Sequence, residues 1–385
     1  KKRGSRKREL YGASISDVHL GHQRTKTRHI VDNLWKAFPN AESTGQLDVI
    51  FWGGDLFDRL LTLGDEAVPQ ILVWAYSFLE MAKERKIHVV FMEGTPSHDW
   101  AQTKLLKTIA EFGKGNPYFH YIDTLSIVHF DDLDADVLFV PDEWRPEPDD
   151  TWMEVRELLR EKGLEKVDFT LLHGVFDHQL PDHVSVPTHV TERYVSITRH
   201  FVFGAHVHTP SVRDNFPADH GRLYVNGSFD RLAHGEEESK GHWRFRFPTD
   251  KPPQCWFVVN EGAQIYKTLD CTKKSLEESL AFLQQVSKLP EDSSIRVQAN
   301  KDDPILANFD VLRREYPHIH WSSKPNEAVE KDVQKNLLVD LRSAYTSVQI
   351  TRDNLEELLM ERIGLLTNDP DQLQRCARRI QEVVR

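Results

Sequence analysis

The chain has 385 residues, enough for two or three domains and a sizeable core. Its 39% apolar and 28% charged composition fits a soluble globular protein, and no apolar run approaches the roughly 18–20 residues needed to cross a bilayer. The net charge of −11 argues against a general nucleic-acid coat protein, though not against an enzyme that touches phosphates locally. No charged-then-apolar signal opens the sequence, so the chain is expected to stay in the compartment where it is made, the cytoplasm. Cys255, Cys271 and Cys376 lie far apart without metal-ligand spacing and read as free thiols in a reducing compartment.

Residues 1–9 form a basic tail, with six Lys or Arg side chains among the first eight positions. It suits contact with DNA phosphates, and equally an expression remnant or a plain solvated terminus. From Glu9 to about Asp270 the pattern is strand, helix, strand, helix, then mainly strands. The apolar run Leu10 to Ser16 leads into Asp17-Val18-His19. A helix around His29 to Phe38 follows, and then Asp48 to Trp52 runs into Gly53-Gly54-Asp55. A long helix from Glu66 to Lys86 precedes Ile87 to Met92, which ends at Glu93-Gly94. This alternation predicts an α/β unit with ligands at the strand C-termini. The long helix is apolar around more of its circumference than one core needs. Deep burial explains that, and so does a dimer surface shared with Lys104 to Phe112.

Further strands are read at Ser126 to Phe130, Val137 to Val140, Val167 to Leu172, Phe201 to Phe203, Leu223 to Val225, Trp256 to Val259 and Gln264 to Leu269. A helix from Thr151 to Lys162 interrupts them. Two sheets face to face with helices outside are the expected result. After residue 270 the character changes: Ser275 to Leu289, Ser294 to Ala299, Asp303 to Tyr316 and His318 to Ser322 read as α-β-α-β, a small domain over 271–322. A linker (323–352) leads to two short amphipathic helices in 353–385. Asp353 caps the first, and Asp369-Pro370 opens the second. Two such helices cannot bury both stripes alone, so they dock on the parent domain or clamp a partner helix, the second being favoured.

The chemistry lies at the strand ends. Asp17, His19, Asp55, His173, His206 and His208 offer two carboxylates and four imidazoles. A zinc-class ion takes about four protein ligands and a catalytic one leaves a position open, so six donors suit two ions about 3.5–4 Å apart, bridged by a carboxylate. Any one of these residues alone is as well read as a hydrogen-bonded core His or a turn Asp. All of them together are not.

In this order Asp-x-His, Gly-Asp-x-x-Asp, a His near a Gly loop, His-Gly and Gly-x-His-x-His resemble the calcineurin-like metallophosphoesterases. Two further stretches, His173 to Pro181 and Gly227 to Glu237, resemble the SbcD-type nuclease subunit of the SbcCD double-strand-break-repair family. The resemblance covers roughly Leu10 to Asp270 by motif and the rest by architecture. It implies a four-layer α/β/β/α sandwich with a small α/β capping domain and a C-terminal helix-loop-helix that binds an SbcC-type, SMC-like ATPase. It also implies Asp17, His19 and His208 on a first metal, Asp55 bridging, and His173 and His206 on a second.

The family's Gly-Asn-His loop is here Gly94-Thr95-Pro96-Ser97-His98-Asp99, a variant associated with phage-encoded members, for which the compartment is the host cytoplasm or nucleoid. Ser97 stands where the family's Asn ligand precedes the His. His98 takes the role of the acid that protonates the leaving oxygen, and Asp58 that of the group orienting it. Arg59, with Arg24, Lys26 and Arg28, is a candidate phosphate contact or a solvated face. The implied activity is a manganese-dependent (or magnesium-dependent) DNA nuclease: a 3′→5′ exonuclease on duplex ends and an endonuclease on single strands. It acts as a homodimer with the ATPase. The competing readings are a phosphatase or small-molecule phosphodiesterase on the same scaffold, and a scaffold that has lost its chemistry.

Overall fold

The computed structural model describes residues 9–326, apart from 113–114, 180–185, 249–250, 273, 287, 302 and 308. The basic tail up to residue 8, most of the linker, the helix-loop-helix and the Leu180-Pro181 end of the His173 stretch therefore lie outside the described residues. By compactness the chain divides into Lys1–Ala299 with Pro304–Lys324, and Asn300–Asp303 with Pro325–Arg385. Nearly all of the second unit is outside the described residues.

In chain order the first elements are β1 (Leu10–Ile15), α1 (Thr27–Ala37), α2 (Glu42–Gly45), β2 (Val49–Trp52), α3 (Ala67–Arg85), β3 (His88–Met92), α4 (Pro96–Asp99), α5 (Lys104–Glu111) and β4 (Phe119–Ile122). Next come β5 (Ser126–Phe130), β6 (Ala135–Val140), α6 (Pro148–Lys162), β7 (Val167–His173), α7 (Thr191–Ser196), β8 (Thr198–Ala205), β9 (Ser211–Arg213) and β10 (Arg222–Val225). Last are β11 (Gly241–Phe247), β12 (Gln254–Val259), β13 (Tyr266–Asp270), α8 (Leu276–Val286), β14 (Ser294–Asn300), α9 (Pro304–Ala307), α10 (Phe309–Glu315) and β15 (His320–Asn326).

Two six-stranded mixed sheets form, in the orders β12-β11-β1-β2-β3-β4 and β5-β6-β7-β8-β10-β9. Each has four parallel strands at its heart: β1 to β4 in one, and β6, β7, β8 and β10 in the other. Antiparallel neighbours flank them. The central strands read as unbroken apolar runs because both faces are covered. Alternation within each strand decides which core a side chain joins. Val49 and Phe51 of β2 enter an aromatic cluster with Phe139, Phe169, Phe201, Phe203 and Phe245, while Ile50 and Trp52 join Ile30, Leu34, Trp74 and Phe78 from α1 and α3. On the other sheet Leu138, Val140 and Val202 pack with Val155 and Leu159 of α6 and Val195 of α7. The arrangement is an α/β sandwich.

The helices end where local chemistry ends them. α6 opens with Pro148, Asp149 and Asp150, and closes at Gly163 in the left-handed region (φ 64°), whose N–H reaches back to Leu159 and Arg160. Burial on α3 is confined to one face, including Ile71, Trp74, Phe78 and Leu79. Val73 (68%) and Tyr76 (56%) are exposed, as are Leu105 and Phe112 (81%) of the α5 region. Deep burial thus does not account for the helix's apolar circumference.

Two differences from the sequence reading stand out. β11 was not anticipated; it inserts antiparallel beside β1. The run from Gln264 does not extend the sandwich: β13 pairs in parallel with β14 in a separate three-stranded sheet, β13-β14-β15. The small sheet has its own apolar cluster, with Leu269, Ile295, Val297 and Trp321 buried. No helix among the described residues is long and apolar enough to cross a membrane.

Candidate metal centre

The parallel strands of both sheets deliver their C-terminal loops to one place. Asp17 and His19 follow β1, Asp55 follows β2, Thr95 and His98 follow β3, His173 ends β7, and His206 and His208 follow β8. The loops are locked by backbone hydrogen bonds from Asp17 N to the Gly54 carbonyl (3.0 Å) and from His19 N to the Asp55 carbonyl (3.1 Å). Four of these residues hold left-handed backbones: Asp17 (φ 50°), His19 (55°), Asp55 (50°) and His206 (85°). Positive φ costs a non-glycine residue of order 1–3 kcal/mol and clusters at functional sites. Gly94 is required by contact: a Cβ there would stand 2.2 Å from the Asp55 nitrogen.

Three overlapping triplets of donor atoms result: Asp17, His19 and His208; His19, Asp55 and His98; and Asp55, His173 and His206. Asp17, His19, Asp55 and His173 are nearly sealed, at 0–2% exposure, while His98, His206 and His208 line the open side. His19 Nε2 lies 3.2 Å from His208 Nε2, and His19 Nδ1 lies 3.2 Å from His98 Nδ1. All six ligands read from the sequence are therefore brought together, with His98 beside them. Buried carboxylates interleaved with facing imidazole nitrogens are a donor set that a divalent cation satisfies and an apolar core does not.

Second contacts orient the donors. His173 Nδ1 meets the Gly53 carbonyl at 2.8 Å, so its proton is placed there and Nε2 is turned toward Asp55 Oδ1, 3.4 Å away. His208 Nδ1 meets Glu236 Oε1 at 3.0 Å, and Glu236 is held in turn by the fully buried Lys240 at 3.1 Å. Burial works against charge on Asp55, yet His173, His19 and His98 together hold its carboxyl well below the usual range. Burial likewise opposes the His173 imidazolium, and Asp55 overrides it, raising His173 well above 6.5. Burial raises Glu236, but His208 and Lys240 outweigh it and bring the carboxyl down to about 2. His98 is lowered, chiefly by burial.

The remaining expectations are placed as follows. Asp58 Oδ1 lies 3.3 Å from His19 Nδ1, so its direct partner is His19, which itself touches His98. Arg59 is engaged with Asp65 at 2.7 Å, and Lys26 with Asp292 at 2.7 Å. Ser97 is exposed, and its carbonyl accepts the Trp100 indole N–H at 2.7 Å. The hydroxyl inside the cluster belongs to Thr95, 3.2 Å from Asp55 Oδ2 and 3.3 Å from both His173 Nε2 and His206 Nδ1. Sequence reasoning passed over Thr95, and the signal available was its place directly after Gly94 and before a helix-opening Pro. Glu236 falls in the Gly227 to Glu237 stretch, and only the geometry makes it the partner of His208.

Asp99 is wholly buried, and its carboxylate accepts the backbone N–H groups of Asp55 (3.1 Å), Phe57 (2.9 Å) and Gly94 (2.7 Å). It ties the loop after β2 to the loop after β3.

No family model matches the chain, and no curated protein matches it in sequence. Among solved structures it is similar to TT1561 of Thermus thermophilus, at 13% identity and TM-score 0.39 over 64% of this chain and 98% of that one. It is also similar to GAP50, the anchor in the inner membrane complex of Plasmodium, at 14% identity and TM-score 0.37 over 75% of this chain and 97% of that one. At those scores neither neighbour bears on the chemistry of the cluster, which stands on its own donors.

Proposed function

We propose that the chain is a two-metal phosphodiesterase of the calcineurin-like kind, with that family's four-layer α/β/β/α order, and that its substrate is DNA. The observation that carries this reading is three overlapping donor triplets at the ends of parallel strands from two sheets, in which the buried Asp55 belongs with His173 and His206 and, through the middle triplet, also with His19. Asp17, His19 and His208 are the residues for one divalent ion, and His173 and His206 for the other. When bound, the ions lower the pKa of a water and neutralise charge on the phosphate ester. The protein's own part is to hold the donors still and keep His98 on the open side. There His98 Nε2, its Nδ1 facing His19, donates a proton to the leaving oxygen.

Motif order and the His173 and Gly227 stretches favour an SbcD-type nuclease, with manganese or magnesium as metal. On that reading it degrades duplex ends 3′→5′, nicks single strands, pairs as a homodimer through the exposed α3 and α5 side chains, and joins an SbcC-type ATPase through residues 353–385. The test is purified full-length chain with Mn²⁺, labelled duplex DNA and bis-p-nitrophenyl phosphate. Cleavage of both supports the reading. Hydrolysis of the small ester with DNA untouched, even with the ATPase added, replaces it with a small-molecule phosphodiesterase. No hydrolysis of either, with bound metal, leaves a scaffold without chemistry.

A further inference from the structure

We propose that Thr95, and not Ser97, supplies the fourth protein donor of the group built on Asp55, His173 and His206; this rests on the two-metal reading above. Thr95 occupies the residue before α4, where a Thr hydroxyl ordinarily accepts an N–H of the helix's first turn. Here it does not. α4 has no side-chain cap, and the His98 N–H goes to the Thr95 carbonyl instead, at 2.9 Å. Pro96 follows and keeps Thr95 out of the helix, at φ −60° and ψ 126°. The Thr95 N–H is given to Asp55 Oδ1 at 2.6 Å, which fixes the residue against the shared carboxylate and leaves its hydroxyl in the cluster.

That hydroxyl stands within reach of three polar atoms of the cluster at once. Asp55 Oδ2 is 3.2 Å away, and His173 Nε2 and His206 Nδ1 are each 3.3 Å away. With Nδ1 turned to the Gly53 carbonyl at 2.8 Å, His173 keeps Nε2 facing the Thr95 oxygen. A hydroxyl oxygen, a carboxylate oxygen and two imidazole nitrogens gathered at this spacing are donor types that would hold a divalent ion. Donors about 2.0–2.2 Å from one ion stand about 3.3–3.6 Å apart in a tetrahedron, close to the spacing seen here. The resulting group has one carboxylate, two imidazoles and one neutral hydroxyl, so it holds its ion less tightly than a group with a second carboxylate.

The test is Mn²⁺ binding to the full chain, followed by calorimetry and by the electron paramagnetic resonance of free Mn²⁺. Wild type is expected to take up two equivalents. Thr95→Val, nearly the same shape, is expected to weaken the second equivalent by at least the ~10–100-fold that loss of an outer-shell partner costs, and to spare the first. Thr95→Ser is expected to restore it, and Ser97→Ala to leave it unchanged. Circular-dichroism melting checks the fold of each variant, and Thr95→Ala repeats the measurement without the β-branch. Two wild-type equivalents in Thr95→Val and Thr95→Ala overturn the proposal while leaving the two-metal reading intact. So does loss of the second equivalent in Ser97→Ala. A wild-type chain that takes up one equivalent or none overturns both.

Discussion

His173, at the end of β7, and His242, in β11, are both shut off from solvent, at 0% and 1% exposure, and are pushed in opposite directions. Asp55 beside His173 overrides the cost of burial and raises it well above 6.5. Around His242 burial is joined by a cation: Arg244 Nε donates to His242 Nε2 at 2.9 Å, the Phe38 ring packs at 4.9 Å, and the imidazole is held neutral, well below 6.5. Depth is thus common to the metal centre and the core around β11. What separates them is whether carboxylates were buried along with the imidazoles.

The largest effect should come from removing that difference. Asp55→Ala takes the one carboxylate common to two of the donor triplets and leaves His173 in surroundings more like those of His242. Both Mn²⁺ equivalents should go, with hydrolysis falling by roughly 10³-fold or more, several kcal/mol of transition-state stabilisation. A variant that keeps one tight ion and measurable turnover would show that the carboxylate is not shared. Next in size is His98→Ala, where hydrolysis should drop ~10²–10⁴-fold with metal content unchanged. Full activity in that variant removes His98 from the chemistry, and lost metal makes it a ligand of the middle triplet.

Glu236→Gln sharpens the contrast on one side only. It deprives His208 of its carboxylate partner and should weaken the first ion ~10–100-fold while the second is unmoved. Equal weakening of both would mean that the two groups are not separately supported. The smallest effect belongs to His242. Because its folded-state pKa is depressed, the unfolded chain takes a proton first, so its contribution to stability is complete above about 6.5 and is lost progressively as pH falls from there toward the depressed folded-state value. Urea midpoints between pH 7.5 and 5 should fall less steeply in His242→Gln than in wild type. Identical slopes would place the acid sensitivity elsewhere.

The ligands were legible because each ends an apolar run, and a run buried on both faces has no other reason to stop at Asp or His. Thr95 was not legible, since a hydroxyl before Pro reads first as a helix cap and only the geometry shows that the cap is unused. Asp99 was visible only as the last residue of the Gly94 loop, because its three N–H partners come from residues up to forty-four positions away. β13 was seen as a strand and assigned to the sandwich, because its apolar pattern reports burial without naming the neighbour. β11 escaped for a related reason: Gly241 to Phe247 carries two arginines and a histidine among its aromatics, and only pairing with β1 makes sense of them.

The position of β11 also sets a schedule. β1 is synthesised before every other described strand, yet the neighbour that covers its outer edge begins at Gly241, more than two hundred residues later. At the usual ~5–20 residues per second that interval is roughly 10–50 s. Throughout it, β1 can pair with β2 on one side while its other row of N–H and C=O groups remains an open template for another chain. A nascent or truncated chain lacking residues 241–247 therefore has the metal-binding loops in hand and an unprotected sheet edge beside them. Aggregation of such fragments, more than any fault in the ligands, is the failure this topology invites.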